Sequence, residues 1–231
     1  MKTPTPRFKA AIYEQIARIG KATASPGRLE LLDLLSQSPR TVEALAAHLG
    51  QSAANTSHHL QVLRRAQLVD AEKSGLHVTY RLADPAVGDF FLRLRTLAES
   101  RLTEIEHVSR QYVEARGLME AVERGELLRR VRAGEVTVID VRPREEYVAG
   151  HLPRALSVPL ADLRKRTRLL PKNRDVVAYC RGPYCVMALD AVALLRQRGF
   201  RAHRMEDGVS EWRARGWRIE SGDAPRAGVR R

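Results

Sequence analysis

The chain's two cysteines stand five residues apart in one stretch, Val176-Val177-Ala178-Tyr179-Cys180-Arg181-Gly182-Pro183-Tyr184-Cys185-Val186-Met187. A β-branched run ends on Cys180, a Gly-Pro turn follows, and residues 188–195 read as a helix. A helix N-terminus aims backbone N–H groups at one spot and favours negative charge there. A thiolate at such a corner is stabilised and reactive, so Cys180 is the expected nucleophile. The amides of 181–186 would curl round it as an anion-binding nest. Arg181, Gly182, Pro183, Tyr184 and Val186 are the expected substrate-binding residues, with Arg181 adding charge to the loop or to an incoming anion. Cys185 has two readings: a small loop residue, or a partner that attacks a modified Cys180 and closes a disulfide or sulfur-bridged pair.

The elements around this corner alternate. A helix over 125–133, a strand over 136–141, a short strand over 155–158, basic helical residues 160–168 and a β-branched pair near 201–205 precede a last helix containing Trp212. That alternation predicts a parallel sheet with helices on both faces, whose chemistry sits at the carboxyl ends of the strands. Two closely spaced cysteines point to redox or catalytic chemistry rather than a disulfide framework. With no run of about 18 apolar residues and no secretory h-region, the protein is expected to be cytoplasmic and to avoid membranes.

A chain of 231 residues suggests two domains. The 40 Lys+Arg against 27 Asp+Glu give a net charge of +13, which suits nucleic acid or a small anion but also mere solubility. Up to Leu118 there are 16 basic and 12 acidic residues, and beyond it 24 and 15, so most of the excess accompanies the cysteines. Net charge alone does not make this a DNA-binding protein.

The first half is helical. Phe8, Ile12, Ile16 and Ile19 share a stripe, Ser25-Pro26-Gly27 breaks the chain, and leucines fill 28–36. Thr41 is the expected N-cap of a helix carrying Val42, Leu45, Ala46 and Leu49 on one face, and Gly50 is its stop. The next helix, from Ser52 to about Gln67, would bury Ala53, Leu60 and Leu63. Gln51, Asn55, Thr56, Ser57, His59, Gln61 and Arg64 would lie on its outer face. Two short helices joined by a Gly turn form a helix-turn-helix pattern, and Ser52 with those side chains could read base edges and phosphates in a major groove. A hairpin over 68–82, with Lys73 at its tip, would be a wing.

The run Ser52-Ala53-Ala54-Asn55-Thr56-Ser57-His58-His59-Leu60-Gln61-Val62-Leu63-Arg64-Arg65-Ala66-Gln67-Leu68-Val69 resembles the recognition helix of the ArsR winged-helix family, and the likeness extends over about 8–115. It implies a homodimer on a double-stranded DNA operator, with the recognition helices in successive major grooves. Residues 86–112 would pair the copies through Val87, Phe91, Leu94, Ala98, Leu102, Ile105, Val108 and Tyr112. Metal-sensing members carry cysteines where this chain has Ala44-Leu45-Ala46-Ala47-His48. His58 and His59 diverge by about 100° on a helix, so no metal site is expected.

The second half resembles the rhodanese (sulfurtransferase) domain over about 118–221. The likeness rests on Asp140-Val141-Arg142, Glu145 through Tyr147, Gly150-His151-Leu152-Pro153, the Tyr179-Cys180-Arg181-Gly182 loop and the late Gly208…Trp212…Gly216 segment. Arg154 departs from a usual Gly, and Asp207-Gly208 from a frequent Gly-Gly. Related phosphatases and arsenate reductases use Cys-x5-Arg, but that position is Val186 here, which argues against their chemistry. The resemblance implies that Cys180 takes sulfur from thiosulfate or a persulfide, holds it as a persulfide and passes it to a thiol acceptor, without a cofactor. Asp140, Arg142 and Glu145 would brace the loop, and His151 a turn. The expected organisation is a mainly α winged helix-turn-helix over 1–115, an α/β rhodanese-like domain over 118–221, and a flexible basic tail over 222–231. Its expected function is a regulator that couples a Cys180 persulfide to DNA binding. The alternative is a sulfurtransferase whose winged helix serves dimerisation or targeting.

Overall fold

A computed structural model describes residues 6–75, 77–116 and 124–223. Residues 224–231 of the expected tail and 118–123 of the expected second domain lie outside them. The chain divides into two compact units, Met1–Arg93 and Leu94–Arg231. Among the described residues no helix is long and apolar enough to cross a membrane.

The first unit contains α1 (Pro6–Thr23), α2 (Pro26–Gln37), β1 (Arg40–Thr41), α3 (Val42–Leu49), α4 (Ala53–Arg65) and the hairpin β2 (Val69–Ser74) and β3 (His77–Leu82). The antiparallel strands run in the order β1-β3-β2, with Lys73 opposite Val78. Pro26 opens α2 where a missing N–H costs nothing. Thr41 caps α3 by accepting from Ala44 N, and Gly50 ends it in the left-handed region at φ 63°. Leu31, Leu32, Leu34, Leu45, Leu60 and Leu63 are fully buried and form the core with Tyr80. The α1 stripe behaves differently. Phe8, Ile12 and Ile16 are exposed, and only Ile19 and Ala22 pack inward.

The expected pairing segment over 86–112 is not one helix. α5 (Pro85–Arg101) stops at Leu102, whose backbone is extended at φ −113°, and α6 (Thr103–Glu114) starts afresh. Residues 89–116 contain neither Gly nor Pro, so no local breaker announces the break. Glu104 and Glu106 in the first turn of α6 suit a new N-terminus. Val87 is buried, whereas Leu102, Val108 and Tyr112 are exposed, so the eight positions do not form one continuous seam.

The second unit adds α7 (Arg124–Ala133), β4 (Thr137–Asp140), α8 (Arg144–Ala149), β5 (Leu156–Ser157), α9 (Leu160–Arg166), β6 (Val176–Tyr179), α10 (Val186–Gln197), β7 (Ala202–Arg204) and α11 (Val209–Ala214). The strands are all parallel, in the order β5-β4-β6-β7. Alternation along β6 divides the core. Val176, Ala178 and Cys180 pack with α10, while Val177 and Tyr179 pack with Leu127, Val131 and Trp212 on the other face.

Asp175, just before β6, accepts from Arg130 (2.5 Å) and Arg201 (2.6 Å). The Arg130 bond, seconded by Arg201 and outweighing the opposing effect of burial, holds this carboxyl below the usual carboxylate range. A depressed folded pKa stabilises the fold above the unfolded pKa of about 3.9, and that stability is lost as pH falls through the lower folded value. Asp175→Asn is therefore expected to flatten the acid limb of stability below about pH 4, as read by denaturant midpoints across pH. An unchanged acid limb would contradict it.

Candidate functional site

Cys180 follows the last residue of β6 and keeps the strand's alternation, so its side chain enters the α10 layer and is 1% exposed. Cys185 is half-buried and supplies the residue before α10. Their sulfurs are bonded to each other, with the Cα atoms 6.1 Å apart, and neither cysteine is free. This overturns the expectation of a free Cys180 nucleophile that carries a persulfide. The sulfurtransferase reading falls with it, because a sulfur already in a disulfide is no thiolate to accept sulfane sulfur. The same bond gives the pairing reading of Cys185 a structure.

Of the two roles expected of Arg181, its contacts match the one within the loop. This side chain is buried and turned into the fold, where Nε and a terminal nitrogen donate to both oxygens of Glu146 at 2.7–3.1 Å. It braces the loop and does not present charge to a ligand. The acid that does so is Glu146, which is fully buried; Glu145, named from the motif, is exposed. Asp140 and Arg142, both fully buried, form a second pair at 2.6 Å, and Arg142 also donates to Gly150 O. Tyr179 donates to Asp140 (2.5 Å). Burial first, then the Asp140 charge, pushes the Tyr179 phenol well above its ordinary range, so it remains a donor. His151 stacks on Tyr147 and uses Nδ1 at 2.8 Å from the Tyr147 carbonyl, bracing a turn.

Three residues that no local motif announced, Arg95, Glu99 and Glu211, connect to the disulfide loop through Tyr184 and Gly208. Tyr184 donates to Glu99 of α5 (2.7 Å), and Glu99 pairs with Arg95 (3.3 Å). Arg95 also pairs with Glu211, which accepts from Gly208 N–H at 2.7 Å. Gly208 lies against the loop itself: a Cβ there would come within 2.6–2.7 Å of the Cys180 and Arg181 backbone, so only glycine fits. The expected binding residues thus have separate fates. Gly182 and Pro183 are half-buried, Tyr184 and Val186 exposed, and Arg181 internal. Arg154, in place of a usual Gly, does occupy the left-handed region at φ 62°.

In the first unit, Ser52 caps α4 by accepting from Asn55 N, and Gln51 accepts from Asn55 Nδ2 at 2.8 Å. Asn55, Gln61, Arg64 and Lys73 are exposed, and Gln51, Ser57 and His59 half-buried. Thr56 is corrected: it is fully buried, whereas Ala53, expected inside, is exposed at the start of α4. Leu60 and Leu63 are buried as expected, and Thr56 joins them because the three share one face at spacings of four and three. Desolvation first, then the charges of Arg28 and His58, hold His59 below the usual imidazole range, so it is neutral at pH 7. Arg65, exposed beside Arg64, was not singled out from sequence.

Comparison with known proteins follows these two units. The profile described as "Bacterial regulatory protein, arsR family" matches residues 25–71, and "Rhodanese-like domain" matches 123–215. HTH-type transcriptional regulator Rv0324 of Mycobacterium tuberculosis is 44% identical over 214 residues, covering 93% of this chain and 94% of that protein. A protein named sulfurtransferase from Allochromatium vinosum is 34% identical over 83 residues, 36% of this chain and 76% of its own. A solution structure described as the homodimeric winged helix-turn-helix DNA-binding domain of a possible ArsR-family transcriptional regulator from Mycobacterium bovis is 39% identical. It covers 44% of this chain and 94% of its own, with a TM-score of 0.41. With an ArsR-type winged helix ahead of a rhodanese-fold sheet, and near-complete coverage by a 44% identical regulator, the chain belongs to the family of ArsR-type regulators fused to a rhodanese-like domain.

Proposed function

We propose that this protein is a homodimeric transcription regulator that binds double-stranded DNA through α4 and the wing, under the control of its disulfide-bearing rhodanese-like domain. The observation that carries the reading is the phase of α4. Leu60, Leu63 and Thr56 are inside, while Asn55, Gln61 and Arg64 remain in solvent on a capped helix after a Gly50 turn. Exposed amide and guanidinium groups on one helix are the donors and acceptors that base edges and phosphates require. Lys73 at the wing would add a backbone contact. Likeness to a transcriptional regulator over almost the whole chain supports the same reading. The exposed α1 stripe of Phe8, Ile12 and Ile16 supports self-association, since an apolar stripe of this kind is ordinarily covered.

The control rests on the Cys180–Cys185 pair as a dithiol that opens and closes, with no sulfur added or passed on. Tyr184 stands next to Cys185 and donates to Glu99, on the helix that begins at Pro85. Opening the loop would loosen that bond and the Arg95–Glu211 pairing beyond it.

The DNA claim is tested on a duplex enriched by the protein from a random pool. Arg64→Ala and Lys73→Ala are each expected to weaken binding and to lower the slope of log affinity against log salt by about one. Unchanged slopes in both variants, read by fluorescence anisotropy, would remove α4 and the wing from the interface.

A further inference from the structure

Beside the disulfide loop lies a cavity of about 520 Å3, walled by α6 and by Pro183, Tyr184, Val186 and Leu189. Neither the paired cysteines nor the α4 face uses it. Its α6 wall is formed by Ile105, Val108 and the Tyr112 ring, and Val108, Tyr112, Tyr184 and Val186 are all exposed at it. Such an array of apolar side chains in contact with water is costly unless something covers it. The volume falls within the roughly 300–1,000 Å3 typical of small-molecule sites.

Charge narrows the occupant. The chain carries +13, yet among the described residues no Lys, Arg or His lines this cavity. Among the described residues its one carboxylate is Glu104, which repels anions. Arg116 lies over the Tyr112 ring, 3.6 Å from its centroid, and is not part of the lining. The Tyr184 hydroxyl is engaged by Glu99, and burial, followed by that bond, pushes its pKa up, so the phenol stays neutral. An anionic sulfur compound would find no cation among the described lining residues. Aliphatic side chains with two tyrosine rings fit a flat apolar molecule, since aromatic rings pair edge-to-face or offset.

We infer that this cavity is a binding site for an uncharged aromatic small molecule, placed against the disulfide loop. The inference concerns ligand binding alone and does not depend on DNA recognition. The test uses the full chain and N-phenyl-1-naphthylamine, an uncharged aromatic probe that brightens in apolar surroundings. One saturable site per chain is expected. Val108→Glu and Val186→Glu are each expected to weaken it at least about tenfold by placing an unpaired charge in an apolar wall. Both positions are exposed, 68% and 40%, so neither change should disturb folding; unaltered circular dichroism verifies this. Val148→Glu, on α8 outside the cavity, should leave binding unchanged. The related anionic probe 1-anilinonaphthalene-8-sulfonate is expected to bind at least about tenfold more weakly than the uncharged one. Unchanged affinity in both cavity variants, or tighter binding of the sulfonate, would overturn the assignment. So would a Val108→Glu chain that loses self-association yet keeps the probe, because a second copy would then be the occupant of this face.

Discussion

Asp140→Ala is expected to cost the rhodanese-like unit about 3–5 kcal/mol, because it strands a guanidinium in the interior. Arg142 is fully buried and donates to both Asp140 oxygens as well as to Gly150 O. The substitution would also remove the acceptor of the Tyr179 hydroxyl. Most of the expected loss is the penalty of an uncompensated buried charge, not the worth of the pair. Asp140→Ala combined with Arg142→Ala should therefore cost less than the sum of the two single changes. Both tryptophans of the chain, Trp212 and Trp217, belong to this unit, and their rings meet edge-to-face. Tryptophan fluorescence in a denaturant titration thus reports this unit's unfolding. A loss under 1 kcal/mol for Asp140→Ala would contradict the account of the pair.

Much of the architecture was legible because short-range signals carried it. The Thr41 cap and Gly50 stop bracket α3, and the β6–α10 corner with its alternating apolar residues placed Cys180 at a strand end. The core face of α4 was read correctly at Leu60 and Leu63 and missed at Thr56. Thr56 is a polar residue, and its type does not reveal that it is fully buried. The break at Leu102 has no Gly or Pro to mark it. The site's chemistry was the least legible part. Cys180 was read as a reactive thiolate and only Cys185 was left with two readings, and the bonded pair escaped because spacing around a turn sets reach but not bonding. Glu146, Glu99, Glu211 and Gly208 act on the loop from 35 to 85 residues away or through a single close approach. No pattern within one element encodes such partners.

Reduction of the disulfide is expected to change DNA affinity by about 5–150-fold, equivalent to about 1–3 kcal/mol of coupling. A reductant thiolate attacks Cys185, the more exposed sulfur, and Cys180 leaves as a thiolate. The reductant's second thiol then closes its own disulfide, so two electrons and two protons reach the cysteine pair. What changes in the protein is the anchorage of the 181–185 loop. Tyr184 and Arg95 are tied through Glu99, and Arg95 through Glu211 to Gly208, which touches the Cys180 carbonyl. Freeing Cys185 is therefore expected to relax α5 near Arg95 and Glu99. Residues 85–93 of the same helix belong to the winged-helix unit, with Val87 in its core.

The most direct measurement is the affinity of one enriched DNA duplex for the disulfide form, the dithiothreitol-reduced form, and a Cys180→Ser/Cys185→Ser chain at constant salt. The reduced and double-serine chains should agree with each other and differ from the disulfide form by at least about fivefold. Equal affinity across all three forms would contradict the proposal that this disulfide controls DNA binding.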